Sequence, residues 1–329
     1  MLRILFIIFV VVSLAASFLE ENCKRIRIGT KWYDKEILWS QLGRPYNLNI
    51  HKASNTLLFS YSVPETYSEV DFQLAYYNID VKEYAMIPGI VGGCSVAIDQ
   101  KNDEIYLGGS DGIYTYNMIT KIADYYKEKG KNIWGLFYKR NLFYISYPNQ
   151  KLLMQIDDKF AEVKEFENIE VDYFHISESN EILYANKSGL YKYDNNNSKT
   201  LVLSEVLSIR QISEDLDGTV YICTSIGLYS YNQNSLQNIL SLKNLHGIAF
   251  DKNNNFVLSD EKNIFKLIQS NVGCMEAEND DKSDIYFANK TALYKVESVG
   301  RRTVVLSDEV MVRQIADDKY GDIYICGTD

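Results

Sequence analysis

Six residues offer the chemistry this sequence can gather in one place: Asn47, Cys94, Trp134, Asp172, Arg210 and His246. Each falls nine to eleven residues before a recurring apolar segment, so a repeat fold would present all six at equivalent positions around one axis. An indole, a guanidinium and an imidazole converging on one mouth make a stacking and hydrogen-bonding site for a flat, polar, anionic organic molecule. Tyr61 and Tyr147 fall in turns expected beside that mouth, along with Asn186, Thr224 and Asp260. The plainer reading pairs Arg210 with Asp172 or Glu214 as a structural ion pair. Only three histidines occur, His51, His175 and His246, and no HExxH, P-loop or CxxC pattern is present. The common zinc and nucleotide chemistries therefore lack their signatures. No catalytic residue and no metal ligand is assigned, and the expectation is a binding protein with no cofactor rather than an enzyme.

The elements that must position these residues are strands. One unit recurs: an acidic or polar residue, Ile-Tyr-apolar-small, a polar turn, and a second segment ending Leu-Tyr-x-Tyr. It reads DEIYLGGSDGIYTYN from Asp103, NEILYANKSGLYKYD from Asn180, GTVYICTSIGLYSYN from Gly218 and NNFVLSDEKNIFKLI from Asn254, with weaker copies from Asn55 and Asn141. The anchors Leu57, Ile105, Phe143, Ile182, Val220 and Phe256 are spaced by 48, 38, 39, 38 and 36 residues, close to the period of β-propeller blades. Alternation with period two, β-branched and aromatic enrichment and Asp/Asn/Gly turns select strands over helices. Most of the 26 tyrosines occupy these recurring positions, so they are packing residues first. A short apolar segment precedes each anchor, as in CSVAIDQKN and LHGIAFDKNNN, and would form the innermost strand of a four-stranded blade. The expected fold is all-β, a six-bladed β-propeller.

Cys23 stands just before the first unit and Cys274 just after the sixth, and a disulfide between them would staple the ring shut. Met1 to Ser17 reads as a secretory signal, with Arg3, the apolar run Ile4 to Val12 and the small residues Ala15-Ala16-Ser17. That run is shorter than the roughly 20 residues that span a bilayer. The expected organisation is a signal over 1–17, the propeller over 18–274 and a further segment over 275–329. Export makes Asn186 and Asn196 plausible glycan acceptors, as well as Asn289. With 34 basic against 44 acidic residues and a net charge of −10, none of it in blocks, neither nucleic acid nor a membrane surface is an expected partner, and the protein is expected to be a monomer.

The last segment is a second copy of earlier units. DIYFANKTALYKV from Asp284 matches EILYANKSGLYKY from Glu181, and Asn289, Arg313 and Cys326 each follow Asn186, Arg210 and Cys223 by 103 residues. Two arrangements are open: a ring of seven or more blades, or a closed six-bladed ring followed by an incomplete copy of the fourth and fifth blades. The second is favoured, because repeat units need neighbours to bury their faces.

The segments ENCKRIRIGTKWYDKEIL, GRPYNLNI, NTLLFSYSV, CSVAIDQKNDEIYLGGSDGIYTYN and HGIAFDKNNNFVLSDEKNIFKLI resemble the insect ommochrome-binding proteins, over roughly residues 1 to 274. The resemblance implies a secreted, extracellular haemolymph protein that binds and carries ommochromes, planar acidic pigments derived from tryptophan. It assigns no binding residue. Two other classes stand beside it: a calcium-dependent lactonase or esterase of the gluconolactonase-like propeller type, and a protein-interaction propeller that uses its outer blade faces. The lactonase chemistry needs several carboxylate and amide oxygens around a hard cation, and the aligned positions supply only Asp172 and Asn47.

Overall fold

Each recurring unit folds into a four-stranded antiparallel sheet, and six such blades stand in a ring. The structure, a computed structural model, describes residues 25–40, 43–64 and 70–270, and five strands between 285 and 328. The inner strands, from blade 1 to blade 6, are Arg44–His51, Ser95–Asp99, Ile133–Lys139, Tyr173–Ile176, Ile209–Glu214 and Gly247–Phe250. Second strands are covered on both faces by neighbouring blades, which explains their continuous apolar runs: Leu57, Leu58 and Phe59 are all 0% exposed.

Six hydrophobic clusters fill the six gaps between neighbouring blades. Leu58, Leu74 and Ile87 of blade 1 meet Val96, Ile105 and Leu107 of blade 2. Blades 3 and 4 join through aromatic rings, with Phe174 meeting both Phe143 and Phe166. The glycine that opens the third strand in the Ser-Gly-Leu-Tyr and Ile-Gly-Leu-Tyr units is required sterically. At Gly189 and Gly227 φ is 150° and 153°, and a Cβ there would come within 2.1 Å of the carbonyl oxygens of Ser204 and Leu240 on the outer strand.

The ring is closed by a strand that the repeat pattern does not mark. The outermost strand of blade 6 comes from the start of the chain: Lys31–Ser40 pairs antiparallel with Asn263–Ser270, in register from Trp32 opposite Ser270 to Ser40 opposite Asn263. Ile26–Ile28 adds a fifth strand to the same sheet. Alternate residues of this closing strand go to opposite faces, so Tyr33 joins the core between blades 5 and 6 while Leu38 joins the core between blades 6 and 1. Backbone pairing and two apolar cores thus hold the ring shut. Cys23 and Cys274, and the signal over 1–17, lie outside the described residues. Asn196 is exposed in a turn, whereas Asn186 is half-buried with its Nδ2 donating to the Glu170 carbonyl at 3.2 Å; Asn289 lies outside the described residues.

The chain divides into two compact units, of which the ring over 24–272 is one. In the other, Ile285–Ala288, Leu293–Val296 and Thr303–Ser307 form a three-stranded sheet, and Met311–Asp317 pairs with Ile323–Thr328. The copying extends to backbone irregularities. Register shifts at Leu293/Tyr294 and Val312/Gln314 repeat those at Leu190/Tyr191 and Ile209/Gln211.

Candidate functional site

The six residues that align in sequence occupy one structural position, the extra residue where two residues of an inner strand oppose one of the second strand. In blades 1, 3 and 5 the ladder shifts register around Asn47, Trp134 and Arg210. In blades 2, 4 and 6 the backbone N–H groups of Cys94, Asp172 and His246 donate to Gly108, Ala185 and Ser259, the same residues that Ser95, Tyr173 and Gly247 face. A bulge of this kind bends the strand and re-aims a side chain. Asn47 takes the left-handed conformation, φ 50°, which asparagine tolerates better than most residues.

Five of the six, Asn47, Cys94, Trp134, Asp172 and Arg210, line one cavity of about 280 Å³. Its wall is divided. Trp134, Phe137, Phe143 and Phe174 of blades 3 and 4 supply apolar surface, while Arg210 and Gln211 of blade 5 and Tyr46, Asn47 and Asn49 of blade 1 supply polar groups. Asn47 Nδ2 donates to the Cys94 carbonyl at 3.1 Å, and the Cys94 thiol donates to the Ile133 carbonyl at 3.0 Å, which ties blades 1, 2 and 3 together at the mouth. Burial pushes the Cys94 thiol up to about 12, so it is a packing group and not a nucleophile.

Arg210 is the anomaly. Its Nε is buried without a hydrogen-bond partner, and among the described residues the guanidinium makes no ion pair. Among the described residues it pairs with neither expected acid: Glu214 stands 3.5 Å from His175 and accepts the Glu178 N–H at 2.9 Å. Asp172 is likewise unpaired, and burial raises its carboxyl above the usual carboxylate range. Tyr173, next to Asp172 on blade 4, lines the same cavity, and burial pushes its hydroxyl up to about 12 against the opposing pull of Arg210.

His246 is 5% exposed, and both its ring nitrogens are buried without a partner. Of the other two histidines, His51 bonds Asp103 and Ser54, while His175 Nε2 lies 3.5 Å from Glu214 without making a hydrogen bond. Burial, together with the positive charges of Arg44 and Arg210, lowers His246 to about 4, so the imidazole is neutral at pH 7. Its ring meets Tyr46 edge-on at 5.2 Å, which sets it behind the Tyr46 side of the cavity rather than among the lining residues. Tyr147 is half exposed, with its ring 5.9 Å from Trp134 and tilted by 30°. Tyr61 is not brought to the site: it is 2% exposed in the core between blades 6 and 1, and its hydroxyl donates to Gln73.

Sequence reasoning missed Tyr46, Asn49, Phe137, Tyr173 and Gln211. Tyr173 and Gln211 follow the bulged residues directly, and the same step along the inner strands reaches Gly135 and Gly247. At Gly247 a Cβ would lie 2.8 Å from Leu48 Cγ and 3.1 Å from Gln211 Oε1, so small residues there make room around the axis. That alternation of small and large residues was the available signal.

No family model matches the sequence. The ommochrome-binding protein of Manduca sexta is 30% identical over 248 residues, 73% of this chain and 89% of that protein. The chain belongs to the ommochrome-binding protein family. Solved structures share the propeller architecture alone with this ommochrome-binding family member. A gluconolactonase from Xanthomonas campestris superposes with a TM-score of 0.58 at 11% identity, covering 75% of this chain and 94% of that one. The calcium-binding protein regucalcin from Agrobacterium tumefaciens gives 0.56 at 9% identity, covering 72% and 94%. The extracellular domain of a hybrid two-component system from B. thetaiotaomicron gives 0.51 at 15% identity over 90% of this chain, which spans about half (51%) of that domain. Among the described residues, no three His, Cys, Asp or Glu side chains of this ommochrome-binding family member converge as a metal cluster, and no helix is long and apolar enough to cross a membrane.

Proposed function

We propose that the protein is a secreted, non-enzymatic carrier that holds an ommochrome, a planar acidic pigment, in the cavity at the channel mouth. The observation that carries this reading is Arg210, a guanidinium without a partner among the described residues, in a cavity that is also lined by aromatic rings. Buried polar groups are almost always hydrogen-bonded, and a donor held open in a cavity is best explained by a ligand. A ring system lies against Trp134 and Phe137 while its acidic group meets Arg210 in a charge-assisted hydrogen bond. Family membership supports the same ligand. Calcium-assisted lactone hydrolysis fits the donor set less well: the bulge positions bring two oxygen-bearing side chains, Asp172 and Asn47, and a positive guanidinium that repels a cation.

The test is titration of the full chain with xanthommatin while tryptophan fluorescence and the visible pigment band are followed. Of the three tryptophans, Trp32 and Trp39 belong to the closing strand and Trp134 to the cavity. Saturable quenching that Trp134→Phe largely removes, with a shifted pigment band, supports the reading. Absence of both quenching and band shift in the wild-type protein overturns it.

A further inference from the structure

We propose that the cavity recognises an aromatic α-amino acid group, with the Arg210 guanidinium receiving its carboxylate and the Asp172 carboxylate receiving its ammonium. This rests on the reading that the channel cavity is the ligand site, and it specifies which chemistry a ligand must carry. Arg210 and Asp172 occupy the same bulge position on adjacent blades and line the same cavity. Opposite charges on neighbouring strands in a low-dielectric site attract strongly, yet among the described residues these two do not pair, and the buried Tyr173 feels the charge of both. Among the described residues neither has another hydrogen-bond or ion-pair partner. Glu214, the other acid on the Arg210 strand, is engaged by His175 and by the Glu178 backbone. Lys187, the cation whose field reaches Asp172, stands 3.6 Å from Glu170.

Holding two unpaired charges apart at one cavity is costly in desolvation and contributes nothing to folding. A purely acidic ligand would answer Arg210 and add repulsion at Asp172. A purely cationic one would do the reverse. A ligand bearing a carboxylate and an ammonium a few bonds apart supplies a partner to each, and the aromatic wall of Trp134, Phe137 and Phe174 takes the ring attached to them. The group qualifies whether it is a free amino acid or one end of a larger pigment.

The experiment is calorimetric titration of the full chain with three probes that share an indole: L-tryptophan, tryptamine, which lacks the carboxylate, and indole-3-propionate, which lacks the ammonium. L-Tryptophan is expected to bind at least tenfold more tightly than either. Asp172→Asn should abolish its advantage over indole-3-propionate and Arg210→Met its advantage over tryptamine, with thermal unfolding showing that both variants are folded. Equal affinities for the three probes, or failure of all three while xanthommatin binds, overturn the inference and leave the pigment reading standing. Ordered affinities for the probes with no xanthommatin binding uphold the inference and overturn the pigment reading instead.

Discussion

Gln211 of blade 5 takes both backbone polar groups of Leu48 in blade 1: its Nε2 donates to the Leu48 carbonyl at 2.7 Å and its Oε1 accepts the Leu48 N–H at 3.1 Å. Blade 6 lies between these blades in the ring, and the same Oε1 accepts the Ile248 N–H of blade 6 at 3.1 Å. One amide therefore satisfies three backbone groups exposed by inner-strand bulges, beside the cavity that Gln211 also lines. Replacing Gln211 with Leu strands all three in an apolar setting. At about 1 to 3 kcal/mol for each unsatisfied buried group, with partial relaxation, urea unfolding should report a loss of roughly 3 kcal/mol. A loss below about 1 kcal/mol would mean that water replaces the amide.

Arg210 has the opposite signature. Since among the described residues its guanidinium has no hydrogen-bond or ion-pair partner, its Nε being buried and unmet, Arg210→Met should leave the melting temperature unchanged or raise it. The same change should weaken an acidic ligand by about 1.5 to 3 kcal/mol, the range of hydrogen bonds to charged groups. Parallel thermal melts and binding titrations check both halves, and a destabilised variant would show that Arg210 has a structural role.

Closure of the ring can be tested at Leu38, which is 9% exposed in the core between blades 6 and 1. Leu38→Ala should cost about 2 to 4 kcal/mol, whereas Ile37→Ala, at a side chain 49% exposed on the same strand, should cost under about 1 kcal/mol. Equal effects in denaturant titrations would argue that the closing strand adds little to stability.

His246 predicts a pH dependence. Its folded-state value of about 4 lies below the ordinary 6.5, so between these limits the unfolded chain binds more protons than the folded one. Stability from this group is therefore complete above pH 6.5 and is lost as pH falls toward 4. Melting temperatures measured across that window should fall less steeply with acidification in His246→Phe than in the wild type. Identical slopes would assign the acid sensitivity to other groups.

The blade count, the inner strands and their six equivalent residues were legible in the sequence, because a repeated anchor carries its neighbours into equivalent places. Tyr61 failed for a specific reason. In blade 1 the second strand runs nine residues, Thr56–Pro64, and keeps Tyr61 inside the sheet. In blade 3 that strand is Asn141–Ser146, so the equivalent Tyr147 falls just past its end and comes beside Trp134. The closing strand was missed because Lys31–Ser40 carries none of the repeat signature. Only the alternation of Tyr33 and Leu38 with charged residues marks it, and its partner lies more than 200 residues away. Register shifts at the bulges are tertiary events, so the way His246 turns behind Tyr46 could not be read from spacing.

That long separation shapes the life history of the molecule. Lys31–Ser40 emerges from the ribosome early, yet its hydrogen-bonding edge, Asn263–Ser270, is among the last parts of the ring to be synthesised. The loop-closure entropy of such a contact delays it until the intervening blades have formed. Blade 6 is then the last to assemble and the first to unzip, and its backbone amides should exchange with heavy water before those of blades 2 to 5. Until the two ends of the ring meet, the blades form an open crescent, and the cavity is complete only once they have closed on each other.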